Sequence, residues 1–187
     1  MMIRKLLTTA VIAVSLTGCA GSGLGIYPQV ILDDVKSPYY PNTVAMLGSI
    51  GGPTFVYGAP ANNALPNEII APLHLPRWVA DQSLTVGNAD GDAYGGLHLA
   101  LVFAPETTTL AKNVCKGNAK GGTAGPELRV LGVFCQGRKP LSEAVAIARS
   151  SPVPGDPDYA KALNQLINVL MPHRGPDEES DRPRRLP

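Results

Sequence analysis

The amino-acid sequence predicts a single small domain of α/β or α+β class: a short sheet with central strands near 97–104 and 128–135, followed by two C-terminal helices. Three patterns lead there. Leu97, Leu99, Leu101 and Phe103 alternate with His98, Ala100, Val102 and Ala104, and both sets are largely apolar, as in a strand covered on both faces. Leu128, Val130 and Phe134 alternate against Leu131 and Val133 in the same way. Beyond Cys135 the spacing turns helical, first around Ala144 to Ala148 and then along Tyr159 to Leu170.

From the N-terminus, Arg4 and Lys5 precede a charge-free run from Leu6 to Leu16, and small residues lead into Cys19. That order of charge, apolar run and small residues is the layout of an export signal. The run is short against the about 20 apolar residues of a transmembrane helix. Leu16-Thr17-Gly18-Cys19 resembles the lipobox of bacterial lipoproteins. The resemblance implies removal of residues 1–18 and lipidation of the Cys19 thiol. Three acyl chains then anchor the protein in the membrane. Ala20 stands where inner-membrane retention in that family usually shows Asp, so the resemblance favours the outer membrane, with the body facing the periplasm. It covers residues 1–20 and carries an address, not a fold. An ordinary secretory signal and a retained apolar anchor are the competing readings of the same residues.

Residues 19–47 are expected to be a lipidated N-terminus and flexible tether. Ala-Gly-Ser-Gly-Leu-Gly at 20–25 is followed by the proline-marked segments Tyr27-Pro28, Ser37-Pro38 and Tyr40-Pro41, with an edge strand at most around Val30 to Leu32. Residues 48–172 form the expected globular domain. Thr54 to Gly58 is a short β-rich run, and Pro66 and Pro72 limit any helix between Asn62 and Ala71 to a turn or two. Ser142 is the expected N-cap of the first C-terminal helix, which Pro152 and Pro154 stop. Asp156-Pro157 opens the second, an N-cap followed by proline at the first helical position, and Pro172 ends it. From His173 to Pro187 four Arg oppose four Asp and Glu without a periodic apolar residue, the composition of a disordered polar tail.

Composition bounds the partners. Loss of residues 1–18 removes Arg4 and Lys5 and no acid, so 16 basic and 15 acidic residues become 14 and 15 and the formal charge passes from +1 to −1. A near-neutral body with three Phe, six Tyr and one Trp offers neither the basic field nor the stacking platforms of a nucleic-acid binder. Cys115 and Cys135 are the cysteines left beside Cys19, and an even remainder in an exported protein reads as a disulfide. A bridge there would hold the Gly-, Asn- and Lys-rich stretch 115–125 against the start of a strand. The rival, a redox pair, lacks C-x-x-C spacing.

Motifs for chemistry are weak. Asn88-Ala89-Asp90-Gly91-Asp92 alternates oxygen ligands, but Ala93 replaces the glycine of a calcium loop and Leu99 its closing acid, which leaves a polar turn. Lys120-Gly121-Gly122-Thr123 has the wrong order for a phosphate loop and precedes a strand rather than a helix. Leu47-Gly48-Ser49-Ile50-Gly51 approaches a nucleophile elbow but begins with Leu47 instead of glycine. His74, His98 and His173 make no metal spacing, and His98 on an apolar strand reads as a core histidine. Trp78, after Pro76-Arg77, is either an anchor for a partner or glycan or a residue half-buried at a sheet edge, the second being the commoner arrangement.

No cofactor is expected. The expected role is that of a lipid-anchored envelope protein, structural, binding or accessory in envelope or surface assembly, held to the membrane through Cys19 and open to an envelope protein partner. A hydrolase without a recognisable motif, using Ser49 or His98, and a small-ligand-binding lipoprotein are the alternatives.

Overall fold

The computed structural model describes residues 29–34, 39, 41–87 and 95–173. The expected signal peptide at 1–18, Cys19, the glycine-rich segment at 20–25, the Asn88–Asp92 turn and residues 174–187 of the tail lie outside the described residues. The class is α+β. Among the described residues the elements run β1 (Gln29–Asp34), α1 (Pro41–Ser49), β2 (Pro53–Tyr57), α2 (Pro66–Ile70), β3 (Thr85–Val86), β4 (Leu97–Phe103), α3 (Ala111–Val114), β5 (Leu128–Gln136), β6 (Lys139–Ala148) and α4 (Pro157–Leu170). The strands form one six-stranded mixed sheet in the order β1-β6-β5-β4-β2-β3. β4, β5, β6 and β1 pair antiparallel in turn, while β2 runs parallel to both β4 and β3.

The two-faced pattern of β4 and β5 holds residue by residue. Leu97, Leu99, Leu101, Phe103, Leu128, Val130 and Phe134 enter one core, shared with α1, α2 and α4. Ala100, Val102, Leu131, Val133 and Cys135 enter a second core on the opposite face, with Phe55, Ala111, Val114 and Cys115. α4 supplies the largest cover. Tyr159, Ala162, Leu163, Leu166, Ile167 and Leu170 are buried at helical spacing, each large side chain stabilising by about 1.5–3 kcal/mol relative to exposure.

α4 lies over a strip of small residues. Gly132 on β5 pairs with Ala144 on β6, flanked by the Phe134–Ser142 and Val130–Ala146 pairs. A Cβ on Gly132 would stand 2.7 Å from Leu170 Cδ1 and 3.0 Å from Leu166 Cδ2. Gly132 therefore sets the helix-to-sheet distance. Gly132→Val is expected to cost at least about 2 kcal/mol, within the usual range for overpacking a filled core. A urea-unfolding midpoint equal to wild type would show that α4 can lift without loss.

The same strip corrects the first expected helix. Residues 142–148 are β6, not a helix. Ser142, Ala144, Ala146 and Ala148 are buried and alternate with half-buried Glu143, Val145 and Ile147, a period of two. Ala144, Val145, Ile147 and Ala148 satisfy helical spacing only because both faces of this strand are apolar. Only one helix, α4, closes the described C-terminal region. Gly137, at φ +57°, opens the two-residue turn between Gln136 and Lys139 that makes β5 and β6 a hairpin.

The packed body also begins earlier than residue 48. β1 pairs with β6, Val30 opposite Ala146. α1 buries Val44 and Leu47 completely. Tyr39 packs edge-on against Phe134 at 5.3 Å between ring centroids. Proline spacing suggested an extended tether there, but Pro41 is the first residue of α1, where a missing N–H costs nothing. The other expectations stand closer to the structure: β2 falls at 53–57 and α2 is the short helix between Pro66 and Ile70. At α4, Asp156 occupies the N-cap before Pro157 but accepts the Val153 N–H at 2.9 Å instead of capping the helix amides.

Candidate functional site

Cys115 caps the C-terminal end of α3, and Cys135 lies near the end of β5. Their Sγ atoms are at disulfide distance, 2.00 Å, with Cα atoms 5.7 Å apart, and both residues are fully buried. The pair thus ties a short helix to the end of a strand, not a loop to a strand's start as the sequence suggested. A fully buried cysteine pair of this kind presents no sulfur to a substrate.

His98 stands opposite Cys135 in the β4–β5 register. Its ring meets Phe55 edge-on at 5.1 Å, and its Nδ1 lies 3.2 Å from the Gly96 carbonyl. Desolvation lowers its pKa below the ordinary histidine value, partly offset by that carbonyl. It is a neutral core histidine at neutral pH, as its place on an apolar strand indicated. Ser49 belongs to the other side of the sheet. It ends α1, whose Val44 and Leu47 join the α4-side core, and its Oγ donates to the Met46 carbonyl at 2.8 Å. Ser49 and His98 therefore form no nucleophile–base pair.

The near-elbow at 47–51 is a helix stop. Gly52 N–H donates to the Leu47 carbonyl and Gly51 N–H to that of Gly48, both at 2.9 Å, with Gly51 at φ +77°. That is a Schellman cap, with the chain running from helix into strand, the reverse of an elbow. Gly121 and Gly122 serve backbone contact rather than phosphate binding. Ala59 N–H donates to the Gly122 carbonyl at 3.0 Å, Gly122 N–H to that of Phe103 at 2.9 Å, and a Cβ on Gly121 would stand 2.3 Å from the Tyr57 carbonyl oxygen. This loop closes over the C-terminal ends of β2 and β4.

The remaining sequence candidates, His74, Trp78 and His173, come together. Leu73 to Val79 forms a loop that lies along the outer side of α4. Asn164 fixes it there: its Oδ1 accepts the His74 N–H at 2.9 Å and its Nδ2 donates to the Pro72 carbonyl at 3.2 Å. Trp78 is half-buried and packs against the α4-side core, while His173 meets it edge-on at 5.3 Å. Between loop and helix runs a groove of about 490 Å³ lined by His74, Arg77 and Trp78 on one wall and Lys161, Asn164, Gln165 and Asn168 on the other. Arg77, Gln165 and Asn168 are exposed. The helical wall was legible only as the polar face of an amphipathic pattern; nothing in the sequence joined it to Trp78, far away along the chain.

A larger groove of about 580 Å³ lies by α2, but Glu68, its one charged lining residue, accepts the Leu65 N–H at 2.8 Å and so belongs to the helix start. Among the described residues no three His, Cys, Asp or Glu side chains cluster as a metal site would require, and no helix is long and apolar enough to cross a membrane. No protein-family model, curated protein or solved structure matches the chain.

Proposed function

We propose that this is a lipid-anchored protein of the bacterial envelope that works by binding, as an accessory or structural component held in the periplasm by Cys19. The observation that carries the reading is Leu16-Thr17-Gly18-Cys19 behind a charged and then apolar N-terminus. The buried cysteine pair at disulfide distance supports it, since such pairs persist in oxidising compartments. Three acyl chains at about 0.8 kcal/mol per buried methylene would make release from the membrane negligible. The body is joined to that anchor by a segment ending at β1, so its grooves would work close to a membrane surface.

Metabolic labelling tests the anchor. Wild type is expected to incorporate palmitate, and Cys19→Ser to lose the label completely and accumulate as unprocessed precursor. A Cys19→Ser protein that is still cleaved and free in the periplasm would establish an ordinary secretory signal instead. Fractionation tests the sorting: recovery mainly with inner membranes would overturn the outer-membrane assignment.

A further inference from the structure

We propose that the groove between the Trp78 loop and α4 binds a saccharide that carries a carboxylate. This names the ligand class for the binding role proposed above and does not depend on the anchor. The lining decides the class. Among the described residues Trp78 is the one large apolar side chain in it, which is too little for an acyl chain or an apolar peptide but is what the flat C–H face of a pyranose ring stacks on. On the helical wall of the same groove, Asn164, Gln165 and Asn168 sit within one turn of helix, with Lys161 one turn before Gln165. Carboxamides both donate and accept, so a pair of them can take adjacent sugar hydroxyls in a way that ammonium or carboxylate groups cannot.

Charge supplies the second half of the assignment. Among the described residues of the lining, Arg77 presents an exposed guanidinium and no carboxylate is present. A guanidinium in a groove that also holds an indole and carboxamides favours a planar anion, since its fork matches both oxygens of a carboxylate. At about 490 Å³ the groove is within the size range of small-ligand sites. It is also built before any ligand arrives. Both polar ends of the Asn164 amide are spent on the backbone at His74 and Pro72, which holds the indole wall in fixed relation to the helical wall. Asn164 is therefore a positioning residue, and Arg77, Trp78, Gln165 and Asn168 are the contact residues.

The chain contains one tryptophan, so its emission, excited on the red side of the tyrosine band, reports on Trp78. The full chain in detergent is titrated with N-acetylglucosaminyl-N-acetylmuramic acid, with tetragalacturonate, and with chitotetraose as the neutral control. A saturable emission change with either acidic probe, at least tenfold weaker with chitotetraose and at least tenfold weaker in Arg77→Gln, is the expected result. The muramyl probe alone responding would place the ligand in the cell wall, and tetragalacturonate alone in a uronic-acid polysaccharide. Arg77 is exposed, so Arg77→Gln is expected to melt with wild type, and Trp78→Leu, read by calorimetry, supplies a second loss. No saturable change with either acid, or equal binding of chitotetraose, overturns the assignment. An envelope pull-down that recovers a specific protein partner while all saccharides fail would keep the binding role and remove this ligand. Loss of palmitate labelling with a positive titration would do the reverse to the anchor.

Discussion

Replacing Cys115 or Cys135 by serine is expected to lower the conformational stability by about 3 kcal/mol, the chain-entropy value for a closed loop of this size. The two residues are separated by 20 positions. In a domain of this length that corresponds to a fall in melting midpoint of roughly 10 °C. The serine hydroxyl adds to the loss, because both positions are fully buried beside Val114, Leu131 and Val133, and a hydroxyl placed there is desolvated. A double Cys→Ala variant separates the terms: it loses the covalent tie without burying a hydroxyl, so it should melt above either serine variant and below wild type. Circular dichroism with and without reductant, alongside a thiol count in denaturant, measures both. Two free thiols in natively purified, oxidised protein would refute the bridge. The opposite core is expected to keep its packing, since α3 and the bridge touch only the Phe55 and His98 side of the sheet.

The elements legible in the sequence are those whose periodicity admits one reading. β4 and β5 alternate over seven and nine residues, and α4 repeats its apolar residues over fourteen, so each pattern is long enough to exclude its rival. β6 defeats the same test because its buried side is Ala144, Ala146 and Ala148, and alanine is as suited to a helix as any residue. What decides the matter is tertiary: α4 needs a flat floor, and Gly132 with the β6 alanines provides it. The local signal that was available is Gly137-Arg138, a two-residue loop with glycine first, set between two apolar runs. α1 escaped for a different reason. Prolines at 38 and 41 read as an extended linker, whereas the second opens a helix whose Val44 and Leu47 only make sense against β4 and the loop at Val79.

The candidate groove was half legible. Trp78 stood out by its rarity and Arg77 by adjacency, but the amide wall is an ordinary polar helix face until the Asn164 hydrogen bonds lay the loop along it. Sequence distance hides such sites, because the two walls are selected by contact in the fold and not by any spacing. The weak motifs fail for a related reason. The glycines at 48, 51, 121 and 122 are placed by backbone approach and helix termination, so glycine-rich patterns here report packing constraints and not ligand cradles.

Alkaline pH is expected to destabilise the protein above about pH 10, through two buried tyrosines. The carbonyl of Leu170 ends α4, where no intrahelical donor reaches it. The Tyr39 hydroxyl donates to this carbonyl, and Ser142 Oγ donates to it at 2.7 Å. One acceptor thus joins the segment before α1, the centre of β6 and the end of α4. Burial pushes the Tyr39 pKa up to about 12, slightly offset by Ser142. Burial raises that of Tyr159 as well, whose hydroxyl donates to the Ile69 carbonyl at 3.3 Å. In the unfolded chain both phenols ionise near the ordinary value of about 10. Between that pH and about 12 the unfolded state therefore binds fewer protons than the native state, and stability falls as pH rises. The contribution is fully present below about pH 10 and amounts to roughly 2–3 kcal/mol for Tyr39 alone. Urea-unfolding midpoints at about pH 8, 10 and 11.5 should therefore decline steeply only over the upper interval. Tyr39→Phe separates the hydrogen bond from the titration: it should be weaker than wild type near neutrality by about 1 kcal/mol, yet lose less on going to high pH, so that the two curves meet and cross above about pH 10. Parallel curves for the two proteins would show that the Tyr39 hydroxyl ionises as it does in solvent and that the Leu170 carbonyl is held by Ser142 alone.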